Sequence, residues 1–288
     1  MTSRKIIVGY DRSADAKAAT AWALDEGART GAPVEFCYVW EWPAWIPAAS
    51  MVPAPAVWPD RNADHAIKEM LDEVVAAAKQ THPAVLTTTF TLDADIALTL
   101  IDRSGEASLV VLGSRGHSAV AGLLGSVSAA VSAHAHCPVV VVRGDQAAST
   151  PVVAGIDDSP QAQSVLAFAA EQAAARHVPL RLVHAWKPVT GIWADTAMAT
   201  ATITPAERQP FDDLVAAIQQ RYPEVEISAD AVMDHPAAAL VSASTSAQLL
   251  VVGSRGRGAA RGMLLGSVSQ HLLRHSRCTV TVVHDPKP

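Results

Sequence analysis

One glycine-rich pattern occurs twice in this chain. Residues 113–126 read GSRGHSAVAGLLGS and residues 253–267 read GSRGRGAARGMLLGS. Each copy follows a short apolar run (residues 109–112 and 249–252). Each precedes a stretch of helical character, a cysteine and a valine-rich run (residues 137–142 and 278–283). A strand that hands over to a glycine loop and then to a helix aims backbone N–H groups at one place, and phosphate is the anion such places hold.

The repeat extends over the whole chain. Residues 6–13 (IIVGYDRS) match residues 152–159 (VVAGIDDS) at an offset of 146. Gly113 matches Gly253 at 140 and Cys137 matches Cys278 at 141, a drift that loop lengths explain. The apolar pattern breaks at DQAAST (residues 145–150), so the units are expected at 1–145 and 146–288, joined by a short linker and packed on each other. Runs apolar on both faces, near 5–9, 34–40, 85–91, 109–112 and 138–142, read as buried strands. Helical periodicity fills the gaps near 14–29, 63–80, 94–105 and 126–135. The second half repeats this with strands near 151–156, 180–186, 225–232, 249–252 and 279–283. The expected architecture is α/β: two tandem doubly wound, Rossmann-like parallel-sheet domains. Ser13 is a natural N-cap, Gly31 a natural stop, and Thr204-Pro205-Ala206-Glu207 a capping box with proline at the first helical position.

Composition narrows the function classes. A chain of 288 residues, half of them apolar, can bury two cores, and a net charge of −6 argues against general affinity for nucleic acid or anionic membrane. Cys37, Cys137 and Cys278 stand singly in apolar runs, which reads as reduced thiols in a cytoplasmic protein. The opening MTSRKIIVGYD lacks a signal-peptide core, and no stretch approaches the roughly 20 apolar residues of a membrane span. Residues 40–59, with four Trp and five Pro, read as irregular chain: a lid, a partner surface, or a loop folded back on its own Trp side chains.

Gly113 and Gly116 leave no Cβ between backbone and ligand, and Gly125-Ser126, like Gly266-Ser267, opens a helix whose N–H groups and positive dipole end face an anion. Asp11 and Asp157 end the first strand of each half on the same sheet edge, where a carboxylate suits ribose hydroxyls or a phosphate-bound metal. His134-Ala135-His136-Cys137 spans a helix end and a strand start, and its repeat lacks the second His, so no metal site is expected there. There is no GxxxxGK[ST], no kinase residue set and no G-x-S-x-G elbow, and no general base is evident. No catalytic residue is therefore assigned.

With these residues in view, the chain resembles tandem universal stress proteins, whose ATP-binding members carry G-x2-G-x9-G-[S/T] after an Asp-ended first strand. Gly253, Gly256 and Gly266-Ser267 have that spacing. The first half places only eight residues between Gly116 and Gly125, which is expected to shift its loop against the helix start. The resemblance implies five parallel strands per domain in the order 3-2-1-4-5. It implies Asp157 on the ribose side, the Ala185 backbone at the adenine, and Gly253, Gly256, Gly266, Ser267, Val268 and Ser269 around the phosphates. In the first half the matching positions are Asp11, Val39, Gly113, Gly116, Gly125, Ser126, Val127 and Ser128. Arg255, Arg257 and Arg261 against Arg115 and His117 make the second site the expected tighter one. The resemblance further implies ATP, with or without Mg2+, as ligand, and a regulatory protein partner that reads bound nucleotide in a stress response. The halves are expected to pair within the chain and the chain to form a homodimer. The rival readings are a slow ATPase or other adenine-nucleotide enzyme of related fold, and an interaction module with vestigial pockets.

Overall fold

The computed structural model describes residues 4–40, 61–116, 124–144, 149–186, 203–257 and 264–284. In the first half, β1 (Lys5–Gly9), α1 (Ala14–Thr30), β2 (Val34–Trp40), α2 (Arg61–Thr81), β3 (Thr87–Asp93), α3 (Ile96–Arg103), β4 (Ala107–Gly113), α4 (Ser126–His134) and β5 (Val139–Val142) alternate. The second half repeats them as β6 (Val152–Ile156), α5 (Ala162–Arg176), β7 (Leu180–Trp186), α6 (Pro205–Arg221), β8 (Ile227–Met233), α7 (Pro236–Ala243), β9 (Leu249–Gly253), α8 (Ser267–His275) and β10 (Thr279–Val283). The expected β3 and β8 begin about a turn too early. Val85 and Val225 instead close turns, their N–H groups donating to the carbonyls of His82 and Tyr222. The Trp- and Pro-rich stretch at 41–59 and its counterpart beyond Trp186 lie outside the described residues.

All ten strands form one sheet in the order β3-β2-β1-β4-β5-β10-β9-β6-β7-β8. Each half thus has the expected 3-2-1-4-5 order and is parallel throughout. The halves join where β5 and β10 pair antiparallel, Val141 opposite Val280 and Val139 opposite Val282. The valines of β5 are buried along their whole length, so this junction removes from water an edge that an isolated half would expose.

Helices cover both faces. On one, a single apolar cluster crosses the junction, combining Val139, Val141 and Leu100 with Val280, Val282 and Leu272. On the other, α1 presents Ala16, Ala19 and Ala23 from one helical face, small enough for close approach to the sheet. Trp22 of α1 and Phe168 of α5, themselves 146 positions apart, pack against the clusters of both halves. Cys37, Cys137 and Cys278 are buried, and burial pushes each thiol up to about 12.

Local signals set the helix ends. The Ser13 hydroxyl accepts from Ala16 N–H, and Gly31 ends α1 in the left-handed region at φ 70°. Thr204 and Glu207 form both bonds of the capping box, with Pro205 at the first helical position. Thr204→Ala is expected to lower stability by about 1 kcal/mol, read as an earlier urea midpoint at constant slope; an unmoved midpoint would mean that α6 holds its start by packing alone.

Candidate functional site

Parallel strands of a doubly wound sheet end together, and the loops after β1 and β4, on either side of the switch in strand order, part there to leave a crevice. In the second half Asp157 directly follows β6 and Gly253 ends β9, the two strands being adjacent and paired. Asp157 ties the two loops together: Oδ1 accepts from Ser159 N–H at 3.1 Å and Oδ2 from Arg257 N–H at 3.0 Å. The approach is close enough that a Cβ on Gly256 would lie 2.5 Å from Asp157 Oδ2. Residues 258–263, including Arg261, lie outside the described residues. The chain then returns to the same place, Gly266 N–H donating to Ser254 O at 2.7 Å.

These groups enclose a cavity of about 500 Å³, within the range of small-molecule sites. Asp157, Ala185, Gly253, Arg255, Gly256, Gly266, Ser267, Val268 and Ser269 all line it, so these expected second-half residues lie around one cavity. Gly266 is the N-cap of α8 and makes no side-chain capping bond. The first turn of that helix therefore lines the cavity at the positive end of the helix dipole, with no side-chain cap from its N-cap residue. The Ser269 hydroxyl donates to Gly253 O at 2.6 Å and pins the helix to the end of β9. Arg257 is ion-paired with Asp158.

Sequence reasoning passed over two polar residues of the wall. His184 lies in β7, 4% exposed, stacked on Trp186 at 3.7 Å and edge-on to Phe211. Burial drives its pKa down, more strongly than Asp158 and Asp157 raise it, so a neutral imidazole faces the cavity. Gln161, at the N-cap of α5, also lines the cavity. Its Oε1 accepts from Arg255 N–H at 2.9 Å and its Nε2 donates to Ser254 Oγ at 3.1 Å. The signal for both lay in the repeat: 146 positions upstream stand Tyr38 and Asp15, and neither pair is conservative.

The first half builds the same frame. Asp11 Oδ1 accepts from Ser13 N–H, a Cβ on Gly116 would lie 2.7 Å from Asp11 Oδ2, and Ser128 Oγ donates to Gly113 O. Gly125 N–H donates to Ser114 O at 2.9 Å, as Gly266 does to Ser254. Gly125 caps α4 without a side-chain bond, placing Ser126 and Val127 in its first turn. The return point of the shorter loop matches that of the second half, and the loop itself, residues 117–123, lies outside the described residues. Val39, near the end of β2, is buried and pairs with Leu92. His134 Nδ1 bonds the Ala130 carbonyl and Cys137 is buried in the core, and among the described residues no three or more His, Cys, Asp or Glu form a metal-sized group.

The sequence profile of the universal stress protein family matches residues 2–143 and, separately, residues 149–284. The chain is 36% identical over 293 residues to a universal stress protein of Mycobacterium tuberculosis (strain H37Rv), covering 96% of each. It is 35% identical over 298 residues to one of Mycolicibacterium smegmatis, covering 98% of this chain and 97% of that one. Among solved structures it is similar in fold to a universal stress protein from Archaeoglobus fulgidus, with TM-score 0.71, 18% identity and 99% coverage of both chains.

Proposed function

The chain belongs to the universal stress protein family, and on that premise we propose that it is an adenine-nucleotide-binding regulator whose second half holds ATP. One observation carries the reading. A single cavity of about 500 Å³ brings together a glycine arm, a helix start without a side-chain cap, a carboxylate at the neighbouring strand end and the backbone of β7. Phosphate belongs at Gly253–Arg257 and the α8 start, where N–H groups and the helix dipole favour negative charge. Asp157 then meets the ribose hydroxyls and the Ala185 backbone the adenine. Mg2+ would arrive with the triphosphate, because Asp157 is held by two N–H groups and Asp158 by Arg257. The reading takes 1–145 and 146–288 as the two units. It assigns the first half a weaker site and places the protein in the cytoplasm as a homodimer read by a protein partner. Among the described residues no helix is long and apolar enough to cross a membrane.

The direct test is to purify the chain without added nucleotide, denature it, and identify and count what is released. About one adenine nucleotide per chain is the expected result, with added ATP filling the second half first in calorimetry. A chain that releases none and gives no heat with ATP and Mg2+ would sink the proposal in favour of an interaction module.

A further inference from the structure

The two frames share their hydrogen bonds and differ in charge at several positions, Arg12 against Asp158 and His117 against Arg257 among them, and also at a residue that walls the glycine arm itself. Asp15, the second residue of α1, and Gln161, at the start of α5, occupy the same position of the repeat. A Cβ on Gly113 would lie 2.8 Å from the Asp15 Cβ, and one on Gly253 would lie 2.7 Å from Gln161 Oε1, so each side chain walls the glycine arm of its own half. In the second half the wall is a neutral amide, bonded to Arg255 N–H and Ser254 Oγ. In the first half it is a carboxylate. Asp15 Oδ2 accepts from Ser114 Oγ at 2.7 Å and from the Arg115 guanidinium at 3.2 Å. Burial alone would raise the pKa of Asp15, but the Ser114 and Arg115 hydrogen bonds and the Arg115 charge outweigh it, so the group is anionic at neutral pH. With its side chain only 20% exposed, solvent screens it in part. The first arm therefore carries a carboxylate where the second carries an amide, and that carboxylate neutralises the Arg115 guanidinium an incoming phosphate would need.

We propose that Asp15 and Gln161 set the phosphate charge each half tolerates: Gln161 admits a nucleoside di- or triphosphate to the second, and Asp15 turns polyphosphate away from the first. This rests on the nucleotide reading above and goes beyond it by naming the determinant.

The test uses the full chain, calorimetry, and three probes: ATP, adenosine and tripolyphosphate. Asp15→Asn is expected to raise first-half affinity for ATP and tripolyphosphate about tenfold or more, and Gln161→Glu to lower second-half affinity by a similar factor. Adenosine, which carries no phosphate, is expected to bind each variant as it binds the wild type. Should Asp15→Asn fold poorly, Asp15→Gln, which copies the second half, replaces it. An ATP isotherm unchanged by both substitutions, or adenosine affinity falling in step with ATP, overturns the assignment. If tripolyphosphate responds to the variants while ATP and adenosine fail to bind, the charge assignment stands and the nucleotide reading falls.

Discussion

Alanine at Glu26 is expected to destabilise the folded chain by about 3–5 kcal/mol, the cost of leaving a buried charge without its partner. Glu26 is 2% exposed and lies between the halves. Its carboxylate accepts from Gln172 Nε2 at 2.8 Å and from Arg176 Nη2 at 3.0 Å, both on α5, and from Arg29 at 3.0 Å. The Arg176 side chain is 6% exposed, lies over the Trp22 ring at 5.2 Å and makes no other salt bridge among the described residues. Removing Glu26 strands that guanidinium where water cannot reach it. The double variant Glu26→Leu with Arg176→Leu is expected to recover most of the loss, because two apolar side chains need no charge partner. Urea unfolding of the full chain decides the matter: a single-variant loss under about 1 kcal/mol would mean that the pair is hydrated or redundant.

The same group fixes a pH dependence. Burial pushes the Glu26 carboxyl up, but Arg176, Gln172 and Arg29 together pull it below its ordinary value. A depressed folded pKa means that the unfolded chain binds the proton more readily. Its contribution is therefore fully present above the unfolded value, about 4.3, and fades as pH falls through the folded one. Acid is thus expected to loosen the junction between α1 and α5, and Glu26→Gln to flatten that part of the stability curve.

This junction also shows where sequence reading ends. Strand and helix positions were legible from local periodicity, whereas the strand order and the second-half cluster were legible through the resemblance to a family that the motif spacing carried. Glu26 and Gln172 were not, although the repeat pairs them 146 positions apart. A charged residue within α1 reads as a solvated face until the chain's internal two-fold brings the equivalent helix against it. Asp15 and Gln161 escaped notice for a related reason. They lie outside the glycine pattern, and their meaning comes from the wall they form with residues about 95 positions away. The eight-residue spacing in the first loop was legible, and Gly125 N–H still returns to Ser114 O as Gly266 N–H does to Ser254 O.

Gly256→Ala should cost the second half about a hundredfold in ATP affinity while leaving the fold intact. The added Cβ would sit 2.5 Å from Asp157 Oδ2, far inside contact distance. The obstructing atom is the tip of a side chain, so relief comes from turning the carboxylate rather than moving backbone. That rotation releases Arg257 N–H and Ser159 N–H, the two bonds that hold the arm to the end of β6. Two charge-assisted bonds of about 1.5 kcal/mol each correspond to roughly the hundredfold stated. The same two bonds hold the free chain, so stability is expected to fall as well, by up to about 3 kcal/mol. Gly116→Ala makes the same collision with Asp11, so its effect is expected to be confined to the first half. Calorimetry and thermal melting of the two variants side by side separate the terms. Undiminished ATP affinity in Gly256→Ala would place the phosphates away from the glycine arm, whereas a collapsed melting temperature would show that Asp157 holds the fold before it holds a ligand.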